Sequence, residues 1–279
     1  MVGSATIAEL LKSSDYEIIA ASSKELKSTN KILQYIKNEE IEETLANNHI
    51  DVLLQLAFPR NVKEDQWASG MEFVVRVFGL AKKYGVKKVI NISSQSIYGL
   101  QRRSFAFEGD AVYLNSPYTT GKYFSELVVN ELFSEISHTN VRLATTISPT
   151  TKERVPNKLF AQILDGKKLN IKGGKQIFSF LDVRDAASGL VKLITSDQDL
   201  RPIYNLGTSE FKTLLEIAEM AVKIANRYGY PSEVSVEDAD IVLDNRIDTS
   251  AMEIDFGWKA QYSLEESLNH IFCENMQKQ

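Results

Sequence analysis

Tyr118 and Lys122 stand four residues apart in Ser116-Pro117-Tyr118-Thr119-Thr120-Gly121-Lys122. On a helix that spacing puts both side chains on one face. Serine is a good N-cap and proline suits the first helical position, so a helix that starts here carries the pair in its first turns. An ammonium beside a phenol favours the phenolate, and a phenol so placed can take a proton from an alcohol or return one to a carbonyl oxygen. Ser94 ends the run Val89-Ile90-Asn91-Ile92-Ser93-Ser94. Its hydroxyl can bond the same substrate oxygen and stabilise charge developing there. The plain alternative is a strand-end turn, a packed tyrosine and a solvated lysine. Three pieces in the order a proton-transfer site needs favour the chemical reading.

The flanking elements must bring these residues together. Apolar spacing predicts a helix from the first residues to about Leu11, broken by Ser13-Ser14-Asp15, then a short strand over Glu17 to Ala21. Ser28 to Asn48 reads as charged helix. Ile50 to Ala57 is a second strand, closed by Pro59, and Gly70 to Tyr84 a helix with Gly85 as its C-cap. Val86 to Ile92 is a third strand, Tyr118 to Ile136 a long helix, and Val141 to Thr146 a strand. Strands alternating with long helices predict a doubly wound α/β fold with a mainly parallel, Rossmann-type sheet. The loops after Ala21, Ala57, Ser94 and Thr146 then converge on one edge, where such sheets bind ligands. Further on, Leu159–Leu164, Asp182–Thr195 and Phe211–Tyr228 read as helices, with extended runs within 169–180 and at 203–206. The expected division is a dinucleotide-binding domain from 1–147 with 177–207, and a smaller C-terminal α/β substrate lobe from 148–176 with 208–279.

Composition narrows the classes. A chain of 279 residues with 43% hydrophobic and 25% charged residues can bury a sizeable core. The net charge of −5, with both signs interspersed, offers no broad basic face for nucleic acid. His49, His138 and His270 lie far apart in no ligand pattern, and the single Cys273 cannot form an internal disulfide, so neither a metal nor a disulfide framework is expected. No run reaches the roughly 18 apolar residues of a membrane span, and the start has no secretory pattern; the expected location is the cytoplasm.

Several segments together resemble the extended short-chain dehydrogenase/reductase family, in particular its NAD-dependent epimerase/dehydratase group acting on nucleotide sugars. INISSQSIYG is similar to the family's SSxSVYG, SPYTTGK to SPYxxSK, IDVLLQLAF to DVVIHLAA, and VRLATTISP to RxxNVYGP. GGKQIFSFLDVRDAA, IYNLGTSEFKTLLEIAE and DTSAMEIDFGWKAQYSLEESL resemble three later segments, so the likeness covers nearly the whole chain. It implies Tyr118 as acid/base, Lys122 as the ribose-binding and phenolate-favouring residue, and Ser94 as the substrate hydroxyl's partner. It further implies that Ser93, Ala57 and Phe58 line the cofactor, that Asn38 stands where an adenine-contacting aspartate is common, and that Gln95, Thr145 and Phe178 face the substrate. For Asn38 a plain helix N-cap is an equal alternative.

The chain also departs from the pattern. The family opens with a strand and a GxxGxxG turn; Met1-Val2-Gly3-Ser4 resembles only the tail, with Gly3 as the last glycine. The first strand then has no counterpart here, which would leave neighbouring ladder groups unpaired. After the strand ending at Ala21 come Ser22, Ser23 and Lys24 rather than an acidic residue; this suits a 2′-phosphate, with a solvated loop lysine as an equal alternative, so the cofactor is NAD or NADP. Phe178 replaces an arginine that contacts the sugar-nucleotide phosphate, with Arg142, Arg184 or Lys175 as substitutes, and Thr145 replaces an asparagine. Gln95-Ser96 replaces the Asp-Glu pair of dehydratases and argues against dehydration. The leading expectation is an epimerase or reductase acting on a sugar-like, nucleotide-linked substrate. The alternatives are a non-catalytic nucleotide- or partner-binding protein and a simple carbonyl reductase. The family resemblance also implies a homodimer through the helices near 70–84 and 118–136.

Overall fold

The computed structural model describes residues 1–58 and 64–277; Pro59 lies outside them. The first half runs α1 (Val2–Leu10), β1 (Ile18–Ser22), β2 (Leu33–Lys37), a 3-10 turn (Asn38–Glu40), α2 (Ile41–Asn47), β3 (Val52–Gln55), α3 (Glu64–Lys83), β4 (Lys88–Ser94), a second 3-10 turn (Gln95–Tyr98), α4 (Pro117–Leu132) and β5 (Ser137–Leu143). The second half runs β6 (Thr145–Ile147), α5 (Val155–Leu164), β7 (Leu169–Lys172), β8 (Ile177–Phe178), β9 (Phe180–Asp182), α6 (Val183–Thr195), β10 (Ile203–Leu206), β11 (Lys212–Thr213), α7 (Leu214–Arg227), β12 (Val234–Glu237), α8 (Ser250–Phe256) and α9 (Leu264–Met276).

The main sheet has the order β10-β5-β4-β3, all parallel. β4 is its most buried strand, covered on both faces as a parallel strand between two helix layers must be. On one face α2, α3 and α4 close a core through Leu45, Val77, Phe78, Val129 and Phe133. On the other, α6, α8 and the segment after α8 pack Leu190, Leu193, Met252 and Trp258 onto Ile90 and Val141. This is the expected doubly wound arrangement. A third core joins α5, β7, α7 and α9 through Phe160, Leu169, Ile217, Leu268 and Phe272. Gly85, in the left-handed region at φ 70°, ends the turn after α3 as expected of a C-cap.

β1 and β2 form a separate parallel pair. Among the described residues no strand pairs with the second edge of β1 or of β3. Ile18, Ile19 and Ala20, and Val52, Leu53 and Leu54, are apolar on both strand faces yet only half-buried. Ile19 and Leu53 nonetheless pack against the same α2–α3 core, so the two sheets share one helix layer.

Three sequence expectations need correction. The stretch from Ser28 to Asn48 is not one helix: Leu33–Lys37 is a strand, with Leu33 paired to Ile18 and Ile36 to Ala21. Leu33 and Ile36 are three apart and look helical locally, but parallel pairing with β1 outweighs a weak five-residue preference. Asn38 is not the N-cap, because the 3-10 turn is capped by Lys37, whose backbone N–H donates to Glu40 Oε2 at 2.6 Å. The strand expected from Val141 begins at Ser137 and breaks at Ala144. Ala144 still donates its N–H to Leu206 O at 2.9 Å, after which β6 turns away to pair with β9.

Candidate active site

The site is built where β4 meets α4. Ser116 caps α4 reciprocally: Thr119 N–H donates to Ser116 Oγ at 3.2 Å and Ser116 N–H donates to Thr119 Oγ1 at 3.1 Å, with Pro117 opening the helix. Trp67 Nε1 donates to Pro117 O at 2.7 Å and ties this start to α3. The first turn is therefore fixed, and Tyr118 with it.

Lys122 lies one turn on, with its side chain buried. Its Nζ donates to Ile92 O at 2.6 Å, two residues before Ser94 on β4. The Nζ also stands 4.6 Å from the centre of the Phe58 ring, which meets the Tyr118 ring edge-on at 5.8 Å. A single ring thus touches both members of the pair, so Tyr118 and Lys122 share a face as the spacing requires. Ser94 ends β4, and its Oγ accepts the Ser96 N–H at 3.2 Å, capping the second 3-10 turn. The neighbouring Ser93 hydroxyl is buried without a partner among the described residues.

Ser22, at the end of β1, accepts the Lys24 N–H at 3.0 Å, and Lys24 is exposed. Ala57 is exposed and Phe58 half-buried just beyond β3. Asn38 is half-buried, and its carbonyl accepts from Arg76 at 2.9 Å. Gly3 lies in the first turn of α1, whose N-terminus has no side-chain cap; a Cβ on Gly3 would stand 3.3 Å from Leu56 Cδ1 at the end of β3. Parallel pairing brings the ends of β3, β4 and β5 to one edge. An uncapped helix start suits a phosphate, and the orphaned Ser93 hydroxyl suits a polar ligand atom. On both counts the residues fit a dinucleotide.

Gln95 and Thr145 also come together. Gln95 is fully buried, its amide oxygen accepting from Thr145 Oγ1 at 2.7 Å and its nitrogen donating to Asn245 O at 2.6 Å. Asn245 donates from Nδ2 to Thr145 Oγ1 at 3.3 Å, and its Oδ1 accepts the Ser179 N–H at 2.6 Å. Asn245 was invisible to sequence reasoning: it lies far along the chain, three residues before Asp248, with no periodicity to mark it. Phe178 is half-buried and stacks on Phe180 at 5.3 Å.

Two of the suggested phosphate-contacting substitutes are already committed. Arg142 is buried and donates to Glu126 at 3.1 and 2.8 Å, to Tyr98 Oη at 2.9 Å and to Glu108 O at 3.0 Å. Burial opposes its charge, but hydrogen bonding and attraction from Glu126 outweigh burial and hold it above the ordinary arginine value. Arg184 is bound twice by Asp182 and lies 3.5 Å from the centre of the Tyr262 ring. Lys175 remains exposed. Burial pushes the Tyr98 phenol up to about 12, against the pull of Arg142, so Tyr98 stays protonated and does not compete as a base. No cluster of metal-ligating side chains occurs among the described residues, and no described helix is long and apolar enough to cross a membrane.

Fold and site together define an α/β protein with a tyrosine–lysine pair and a serine at the carboxyl edge of a parallel sheet. The NAD dependent epimerase/dehydratase family model matches residues 1–207, and the chain belongs to that family of NAD(P)-dependent enzymes. An uncharacterised protein of Methanocaldococcus jannaschii is 27% identical over 250 residues, covering 84% of this chain and 74% of that protein. The UDP-glucose 4-epimerase of Bacillus subtilis is 24% identical over 314 residues, covering 95% and 91%. Among solved structures, UDP-glucuronic acid 4-epimerase from Bacillus cereus, in complex with UDP-glucuronic acid and NAD, matches with TM-score 0.84 at 19% identity, over 100% of this chain and 96% of that one. UDP-glucose 4-epimerase from Thermotoga maritima, with UDP-glucose, matches with TM-score 0.83 at 19% identity over the same shares. These likenesses establish the fold.

Proposed function

We propose that the chain epimerises a nucleotide-linked sugar at a hydroxyl-bearing carbon. The observation that carries this reading is the Tyr118–Lys122 pair, held on one face of α4 and tied to β4 beside Ser94. Gly3, Ser22, Lys24, Asn38, Ala57, Ser93, Tyr118 and Lys122 would hold NAD or NADP, which supplies the site for a hydride. Tyr118 takes the proton of the sugar hydroxyl as the C–H bond breaks, and gives it back when the bond re-forms on the other face. Lys122 binds ribose, and Ser94 bonds the reacting oxygen. Gln95, Thr145 and Phe178 line the substrate side, Gln95 and Thr145 being fixed by Asn245. The names of the relatives support UDP-sugars as the substrates to try.

Turnover of UDP-glucose and UDP-glucuronic acid, with NAD and with NADP, is the direct test. Tyr118→Phe should lose roughly 10²–10⁴-fold in rate while still binding dinucleotide; full activity in this variant refutes the assignment. A second reading, a binding protein without catalysis, is favoured by the half-exposed strands β1 and β3. It predicts no turnover by the unaltered chain even where dinucleotide binds. The exposed Val75 on α3 and Phe124 and Leu127 on α4 support a homodimer through these helices; a monomer in sedimentation equilibrium would refute it.

A further inference from the structure

Lys122 is covered in the described arrangement. The side chain is 5% exposed, with Ile92 O bonded on one side at 2.6 Å and the Phe58 ring centred 4.6 Å away on another. Ile92 belongs to the ladder of the buried strand β4 and is not free to leave. Phe58 is half-buried, next to exposed Ala57, and can. Its seat is cut into α4: a Cβ on Gly121 would stand 2.5 Å from Phe58 Cζ, and 3.0 Å from Met71 Sδ. A bulky ring at position 58 and a bare backbone at position 121 are thus matched in shape.

We propose that Phe58 is a shutter over the Tyr118–Lys122 pair, an internal competitor for the place a ribose takes, displaced when a dinucleotide binds. The inference rests on the dinucleotide reading above and adds a cost to it. Cation–π and edge-on aromatic contacts hold the ring closed. The apparent affinity of a ligand is lowered by the fraction of molecules that are closed.

Two measurements test this on the full chain: the rate at which an amine-reactive reagent labels Lys122, read by mass spectrometry without dinucleotide, and calorimetric titration with NAD and NADP. Phe58→Ala should raise the labelling rate and tighten dinucleotide binding, each about tenfold, the equivalent of about 1.4 kcal/mol. Gly121→Ala, which pushes the ring off its seat, should act in the same direction, and the double variant should match Phe58→Ala alone. Circular dichroism checks that each variant is folded. An unchanged labelling rate in folded Phe58→Ala overturns the shutter, as does weaker dinucleotide binding, which would make the ring a wall of the cofactor site. Faster labelling with no dinucleotide bound by any variant supports the shutter and overturns the dinucleotide reading instead.

Discussion

Removing the Glu126 carboxylate tests what holds α4, and so the tyrosine–lysine pair, against the sheet. Glu126 lies one turn beyond Lys122 and meets Arg142 of β5 in a forked pair at 3.1 and 2.8 Å, with both side chains buried. In Glu126→Ala the guanidinium keeps only two neutral acceptors, Tyr98 Oη and Glu108 O. Breaking a buried pair on one side costs about 3–5 kcal/mol, because a charge is left without its counterion. For 279 residues the unfolding entropy is about 0.6 kcal/mol per kelvin, so about 4 kcal/mol lowers Tm by about 7 °C. The double variant Glu126→Leu/Arg142→Met removes both charges and should recover most of that loss. Thermal melts followed by circular dichroism and calorimetry provide the measurement. A Glu126→Ala melt within about 2 °C of the unaltered protein, or a double variant less stable than the single, would refute the reasoning.

Three other outcomes follow from the same geometry. Gly189→Ala puts a Cβ 2.5 Å from Leu206 Cδ1 and 3.1 Å from the Trp258 ring, and overpacking there should cost about 1–3 kcal/mol, read from the urea midpoint. Burial works against the Asp182 carboxylate, but hydrogen bonds from Arg184 and Ser267 hold it below the ordinary carboxylate range. Its stabilisation is therefore complete above about pH 4 and lost as pH falls through the depressed value, and Asp182→Asn should flatten that acid limb of a stability-against-pH curve. Lys24→Ala should weaken NADPH binding more than NADH binding in parallel titrations; a clear preference of the unaltered chain for NADH would sink the idea that Lys24 reads a 2′-phosphate.

The cap at Ser116 and the spacing of Tyr118 and Lys122 are local, so both were legible in the sequence, as was the apolar run of β4. The same holds for α6 and β10, where strong periodicity or a compact apolar run leaves little choice. Leu33–Lys37 was misread because its apolar pair at three-residue spacing fits a helix as well as a strand, and only the partner strand β1 decides between them. The fate of Arg142 was equally hidden. A sequence shows an arginine near a ligand-binding edge, but not that Glu126 of α4 faces it across the sheet.

By itself the sequence determined the alternation of strands and helices, the helix that carries the tyrosine–lysine pair, and the serine at a strand end, because caps, periodicity and short-range spacing act within a few residues. Only the tertiary structure decided that Phe58 lies on both Tyr118 and Lys122, that Asn245 braces Gln95 and Thr145, and that β1 and β3 each keep an unpaired edge among the described residues. These depend on which distant surfaces meet, and burial and hydrogen-bond satisfaction settle that over the whole chain at once.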